Sequence, residues 1–273
     1  MFKLFSVYKV NTPHAIVVNY IVACACGLSF YGGETTLLEI PDQTWFWFSA
    51  ALGILFIVVF NLMAFTTQRS GLSVVSVATK MSVVIPILFG IFYYNESAGI
   101  LKIIGILIAL VAVYLASLKT KDGIQVKSEN IIYPALVFVG SGIIDTSIKF
   151  LEGAYVAQDA VALFSATIFG AAGIVGIFTI VYQLVRGSFS FQFKNIIAGI
   201  ALGIPNFFSI YFLVLALRVG TFDSSTFFTI NNVAIVMAST FLGIICFRES
   251  VLRKNWIGIG LAVVSIILIS AAS

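Results

Sequence analysis

The chain reads as an all-α membrane protein of nine transmembrane helices, built from an inverted five-plus-five helix repeat that lacks its first helix. Three observations predict this. Of 273 residues, 60% are hydrophobic and only 10% charged, with a mean hydropathy of +1.11. A soluble domain carries about 25% charged residues, so the natural solvent of this chain is a bilayer. The apolar runs are ~17–26 residues long and show no alternation of period two, which suits helices rather than barrel strands. Finally, the chain repeats itself at half-length. Glu96-Ser97 returns as Glu249-Ser250, Gly90 as Gly243, Gly105 as Gly258 and Ala109 as Ala262, all 153 positions on. Upstream, Ala51-Leu52-Gly53-Ile54 returns as Ala201-Leu202-Gly203-Ile204 and Arg69-x-Gly71 as Arg218-x-Gly220, at offsets of 150 and 149.

The first run, 14–31, follows Lys3, Lys9 and Pro13. Ile21-Val22-Ala23-Cys24 resembles a lipoprotein cleavage box, but Asn19 interrupts the stretch and the repeat explains it better. The second run, 45–67, follows an acidic connection from Glu34 to Asp42 and opens with Trp45 and Trp47, aromatics suited to headgroup depth. The third, 72–94, holds Lys80 and is expected to bend at Pro86. The fourth, 98–118, carries Gly105 and Ala109, a small-xxx-small step for close helix packing. The fifth to ninth runs are 130–150, 160–185, 194–217, 222–247 and 255–272. Pro205 is expected to kink the seventh, and Gly258 with Ala262 repeats the packing step in the ninth.

Four runs precede the connection 119–129 and five follow it. The missing run belongs before residue 1. Phe2-Lys3-Leu4-Phe5 has the pattern of Ile148-Lys149-Phe150-Leu151, which closes the first helix of the second half. A five-helix unit is odd, so its two copies lie inverted in the membrane.

The duplicated step from Gly90 through Glu96 to Gly105, matched by Gly243, Glu249 and Gly258, resembles the drug/metabolite transporter superfamily, of the EamA-like type. Arg69-Ser70-Gly71 and Arg218-Val219-Gly220 add to it. The resemblance divides the chain into a first EamA-like repeat at 1–118, a loop at 119–129 and a second repeat at 130–273. It implies a ten-helix bundle around a central cavity, and a carrier of small metabolites or drugs in a bacterial inner membrane.

Other classes find no support. No basic cluster interleaves with aromatics, so no nucleic-acid partner is implied. Cys24, Cys26 and Cys246 lie inside apolar runs and fit no metal motif, and His14 is the sole histidine. Neither a metal nor a cofactor is expected. A membrane-integral enzyme would need a His, Asp or Cys cluster at an interface, and none is visible.

Within the runs, Lys80 is the most informative side chain. A bare Lys at the bilayer centre costs ~2.5–3.5 kcal/mol on insertion scales, so such residues face the bundle interior. Ser73 and Ser76 share its helical face. This stripe suits a carboxylate-bearing, amino-acid-like solute moved by alternating access. The second half offers a neutral stripe of Ser225, Thr229 and Asn232, with Asn231 adjacent. Asn61 and Asn206 sit mid-run in matching helices. Asp145 and Lys149, at i and i+4, are expected to pair and are candidates for proton coupling. Glu96 and Glu249 are read as helix-start determinants. A multidrug exporter is the alternative, favouring aromatic and acidic cavity groups; a truncated, non-transporting remnant is another.

Lys and Arg divide 11 against 3 between the two sides, Lys102, Lys149 and Arg218 being the three. The positive-inside rule then places Met1 in the cytoplasm and Ser273 outside.

Overall fold

The computed structural model describes residues 5, 8–96, 99–117, 131–188, 190–219, 222–247 and 252–272. Glu249, Ser250, Ser97, the loop 119–129 and the tail motif up to Leu4 lie outside the described residues. So do the side chains of Ser73 and Cys246.

The described elements are helical: α1 Thr12–Phe30, a 3-10 turn Leu37–Asp42, α2 Phe46–Ser70, α3 Leu72–Met81, α4 Val84–Tyr93, α5 Ile100–Ser117, α6 Ile132–Tyr155, α7 Val161–Val185, α8 Phe193–Val219, α9 Ser224–Phe247 and α10 Arg253–Ala271. Nine spans among them are long and apolar enough to cross a membrane, with α3 and α4 forming one span, Val74–Tyr93. This is the expected set.

The break between α3 and α4 has the expected cause. Pro86 has no N–H, so the carbonyl of Ser82 cannot receive the usual helical bond. It accepts from Ile85 N–H instead, at 2.9 Å, a tightened turn through Ser82 and Val83. Pro205 behaves otherwise. Helix α8 runs without interruption from Phe193 to Val219, so the expected kink does not break it.

The chain forms two compact units, Met1–Ala64 with Ser147–Val219, and Phe65–Thr146 with Gly220–Ser273. Each unit therefore packs helices of one sequence copy on helices of the other.

In the first unit, α1 packs on α7 and α8. Small residues let the backbones approach. A Cβ added at Gly203 would lie 2.7 Å from the Asn19 carbonyl, and one at Gly27 would lie 2.7 Å from Ala166 Cβ.

In the second unit, α5 packs on α10. Ala109, Ala112, Val113 and Ala116 of α5 join Val233 and Val236 of α9 and Ala262 of α10 in one buried cluster, and Met81 at the end of α3 packs against it. Dry contact of this kind holds membrane helices together where lipid is as apolar as leucine.

Candidate functional site

Lys80 lies in the last turn of α3, one residue before the helix ends. A cation suits that end, where carbonyl groups lacking helical partners carry partial negative charge. Lys80 is half-buried, and Ser76 sits one turn before it, also half-buried. The neighbouring hydroxyls serve the backbone: Thr79 donates to Val75 O at 2.8 Å and Ser82 to Thr79 O at 2.6 Å.

The charge that acts on Lys80 is Asp145 of α6, and the effect is mutual. Both groups are half-buried, and no direct ion pair joins them among the described residues. Gly142 allows the approach of α6 to the third span: a Cβ there would lie 2.7 Å from Ile85 Cβ. Two opposite charges thus sit in one apolar unit, close enough to interact and not in contact.

The neutral stripe on α9 is in the same unit. Thr229 donates to Ser225 O at 2.7 Å and Asn232 to Phe228 O at 3.2 Å, both buried. Asn231 is half-buried. Val233 belongs to the cluster against which Met81 packs, so chain positions next to Lys80 and next to Asn232 border the same apolar contact.

Asn61 and Asn206 fall in the other unit. Asn61 is exposed and donates to Ile57 O at 2.8 Å. Asn206 donates to Asn19 Oδ1 at 3.1 Å, joining α8 to α1. Asn19 and Tyr20 are fully buried, and Asn19 Nδ2 and Tyr20 Oη have no partner among the described residues. Sequence reading treated Asn19 only as an interruption. A polar residue in mid-run, taken as a buried group needing a partner, was the signal available.

No ion pair joins the expected partners Asp145 and Lys149 among the described residues. Asp145 answers to Lys80, whereas Lys149 pairs with Glu152 at 3.4 Å. Arg218 takes the same carboxylate, with Nε 3.2 Å from Glu152 Oε1, and also donates to the carbonyls of Glu152 and Val156 at the end of α6. Glu152 is buried, and its charge there is balanced by both cations.

Glu96 is also reassigned. It does not merely start the helix that follows it. Its carboxylate accepts the N–H of Ser224 at 2.7 Å, the N–H of Ser225 at 2.9 Å and the Ser224 hydroxyl, capping α9. An anion on the first N–H groups of a helix meets unpaired donors and the positive end of the dipole. Beside it, the fully buried Lys102 pairs with Asp223 at 2.7 Å. Partners more than a hundred residues away left no local signal.

Residues 2–118 match the family model described as the EamA-like transporter family. A curated protein of Haemophilus influenzae (strain ATCC 51907 / DSM 11121 / KW20 / Rd), described only as uncharacterized, is 27% identical over 264 residues, covering 95% of this chain and 88% of that protein. A solved crystal structure matches with a TM-score of 0.76 over 96% of this chain and 88% of its own, at 14% identity, a likeness of fold alone. The nine apolar spans among the described residues thus define an integral membrane protein. The EamA-like resemblance drawn from the repeat is borne out over residues 2–118, the part of the chain that matches the family model.

Proposed function

We propose that this chain is a secondary transporter, and not an enzyme, that moves a small carboxylate-bearing, amino-acid-like solute by alternating access across a bacterial inner membrane. Lys80 anchors the carboxylate. The observation that carries the reading is a half-buried cation at a helix break, interacting with Asp145 without pairing to it. Broken spans are where carriers place solute groups, because freed backbone and side-chain charges meet there. Asp145 adds a preference. A bare anion is repelled by it, whereas a solute that also carries an ammonium group satisfies both charges. Asp145 is also the group able to exchange a proton for that ammonium, which makes it, rather than Lys149, the candidate for coupling. Asn231, Asn232 and Thr229 supply neutral polar contacts.

The test is flux into proteoliposomes with radiolabelled zwitterionic amino acids, their deaminated acids and their amides. The zwitterions should move fastest, and Lys80→Met should insert yet lose about 10- to 100-fold in uptake, the worth of one charge-assisted hydrogen bond. Equal flux by the variant sinks the assignment.

A further inference from the structure

The two ends of the second unit are closed differently, although duplication made them from the same sequence. At one end, Glu96 and Lys102 of the first copy hold Asp223, Ser224 and Ser225 of the second. Glu96 takes two backbone N–H groups and a hydroxyl, and Lys102 Nζ lies 2.7 Å from Asp223 Oδ2. A cation in the first turn of α5 opposes the helix dipole, so the place of Lys102 depends on that carboxylate.

At the other end Glu249, the counterpart of Glu96, lies outside the described residues, and the counterpart of Lys102 carries no charge. At an offset of 153, Lys102 corresponds to Asn255. Asn255 donates to Leu115 O at 2.8 Å and to Ala116 O at 3.1 Å, a neutral amide on the end of α5. The start of α9 corresponds to the start of α3, where Gly71 has no side chain to offer and caps with φ +90. Among the described residues, one end holds a lysine–aspartate pair where the other holds a neutral amide.

The exposure of the pair is also uneven. Lys102 is 0% exposed and Asp223 39%. Water already reaches one partner, so releasing the buried lysine to it is the step with the large electrostatic change.

We propose that Lys102–Asp223, seated by the Glu96 cap, is a releasable electrostatic gate at the end of the second unit where α4 stops and α5 and α9 begin. The proposal rests on the transporter reading, since alternating access requires two closures that open in turn. Opening at this end breaks the ion pair; opening at the other breaks the Asn255 bonds.

A cysteine reporter tests it. Thr229→Cys, one turn inside Ser225 and 2% exposed in the parent, is placed in a background with Cys24, Cys26 and Cys246 replaced by Ala. Its rate of labelling by a membrane-impermeant maleimide is measured in proteoliposomes. Asp223→Asn, which keeps the side-chain shape, and Lys102→Met should each speed labelling about tenfold or more. The exchange Lys102→Asp with Asp223→Lys should return it to the slow rate, and Asn255→Ala should leave it slow. Equal rates in the parent and Asp223→Asn overturn the gate, as does an exchange that labels as fast as the single variants or an Asn255→Ala that matches them. Flux by the protein without the reporter separates the two ideas. Flux with unchanged labelling removes the gate alone; no flux of any carboxylate-bearing solute removes the transporter reading.

Discussion

Gly105 lies against Ile269, and Gly258 lies against Ala116. These are the same pair with the two copies exchanged, since 105 matches 258 and 116 matches 269 at one offset. The first unit repeats the device: Gly203 lies against Val22, and Gly53 against Ala172, exchanged at an offset of 150. Reciprocal contacts of this kind are what a duplicated chain makes when its halves pack about a pseudo-twofold.

The two glycines of the α5–α10 contact should not respond alike. A Cβ at Gly258 would lie 2.6 Å from the Ala116 nitrogen and 2.9 Å from the Ala112 carbonyl, which are backbone and cannot move aside. A Cβ at Gly105 would meet Ile269 Cγ1 at 2.5 Å, a side chain that can turn. Gly258→Ala should lower stability by about 1–3 kcal/mol and Gly105→Ala by less. Thermal unfolding in detergent compares them.

Glu96 should matter for α9 rather than for the helix that follows it in sequence. Glu96→Gln keeps the shape and loses the charge, costing about 1–2 kcal/mol by capping scales. Hydrogen exchange should rise at Ser224 and Ser225 and stay level through α5. A rise confined to α5 would return Glu96 to the role of a local helix start.

Arg218 should resist replacement by Lys. Its fork reaches Glu152 and two carbonyls at the end of α6 together, and a point charge cannot hold all three. Arg218→Met leaves Glu152 nearly buried with Lys149 alone, and breaking a buried pair costs about 3–5 kcal/mol. Arg218→Lys should recover only part of the lost melting temperature.

The three basic residues on the sparsely charged side, Lys102, Lys149 and Arg218, are each bound to an acid. The orientation follows from the count itself, the eleven Lys and Arg of the opposite side marking the cytoplasmic side. A reporter fused after Ser273 should be active only if it works outside the cytoplasm; cytoplasmic activity reverses the orientation.

The spans were legible because length and apolarity are local properties, and the break near Pro86 because a missing N–H is a property of one residue. The packing of Gly105 and Gly258 followed from spacing. What stayed hidden were partners brought together by the fold. Asp145 sits 65 positions from Lys80 and looked paired to Lys149, its neighbour one turn away. Glu96 looked like a local cap because Ser224 is 128 positions on. Among the candidate residues, Thr229, Asn232 and Asn61 spend a donor on their own helices, which no sequence pattern distinguishes from a donor held for a solute.

The central claim is that Lys80 and Asp145 together receive the solute. The most direct measurement is binding of a zwitterionic amino acid, its deaminated acid and its amide to the purified full chain by thermal-shift titration, repeated for Lys80→Met and Asp145→Asn. The account predicts that the zwitterion stabilises the parent most. Asp145→Asn should bind the deaminated acid as well as the zwitterion, and Lys80→Met should lose preference for either over the amide. Stabilisation by the same compounds, in the same order, across the parent and both variants would contradict it.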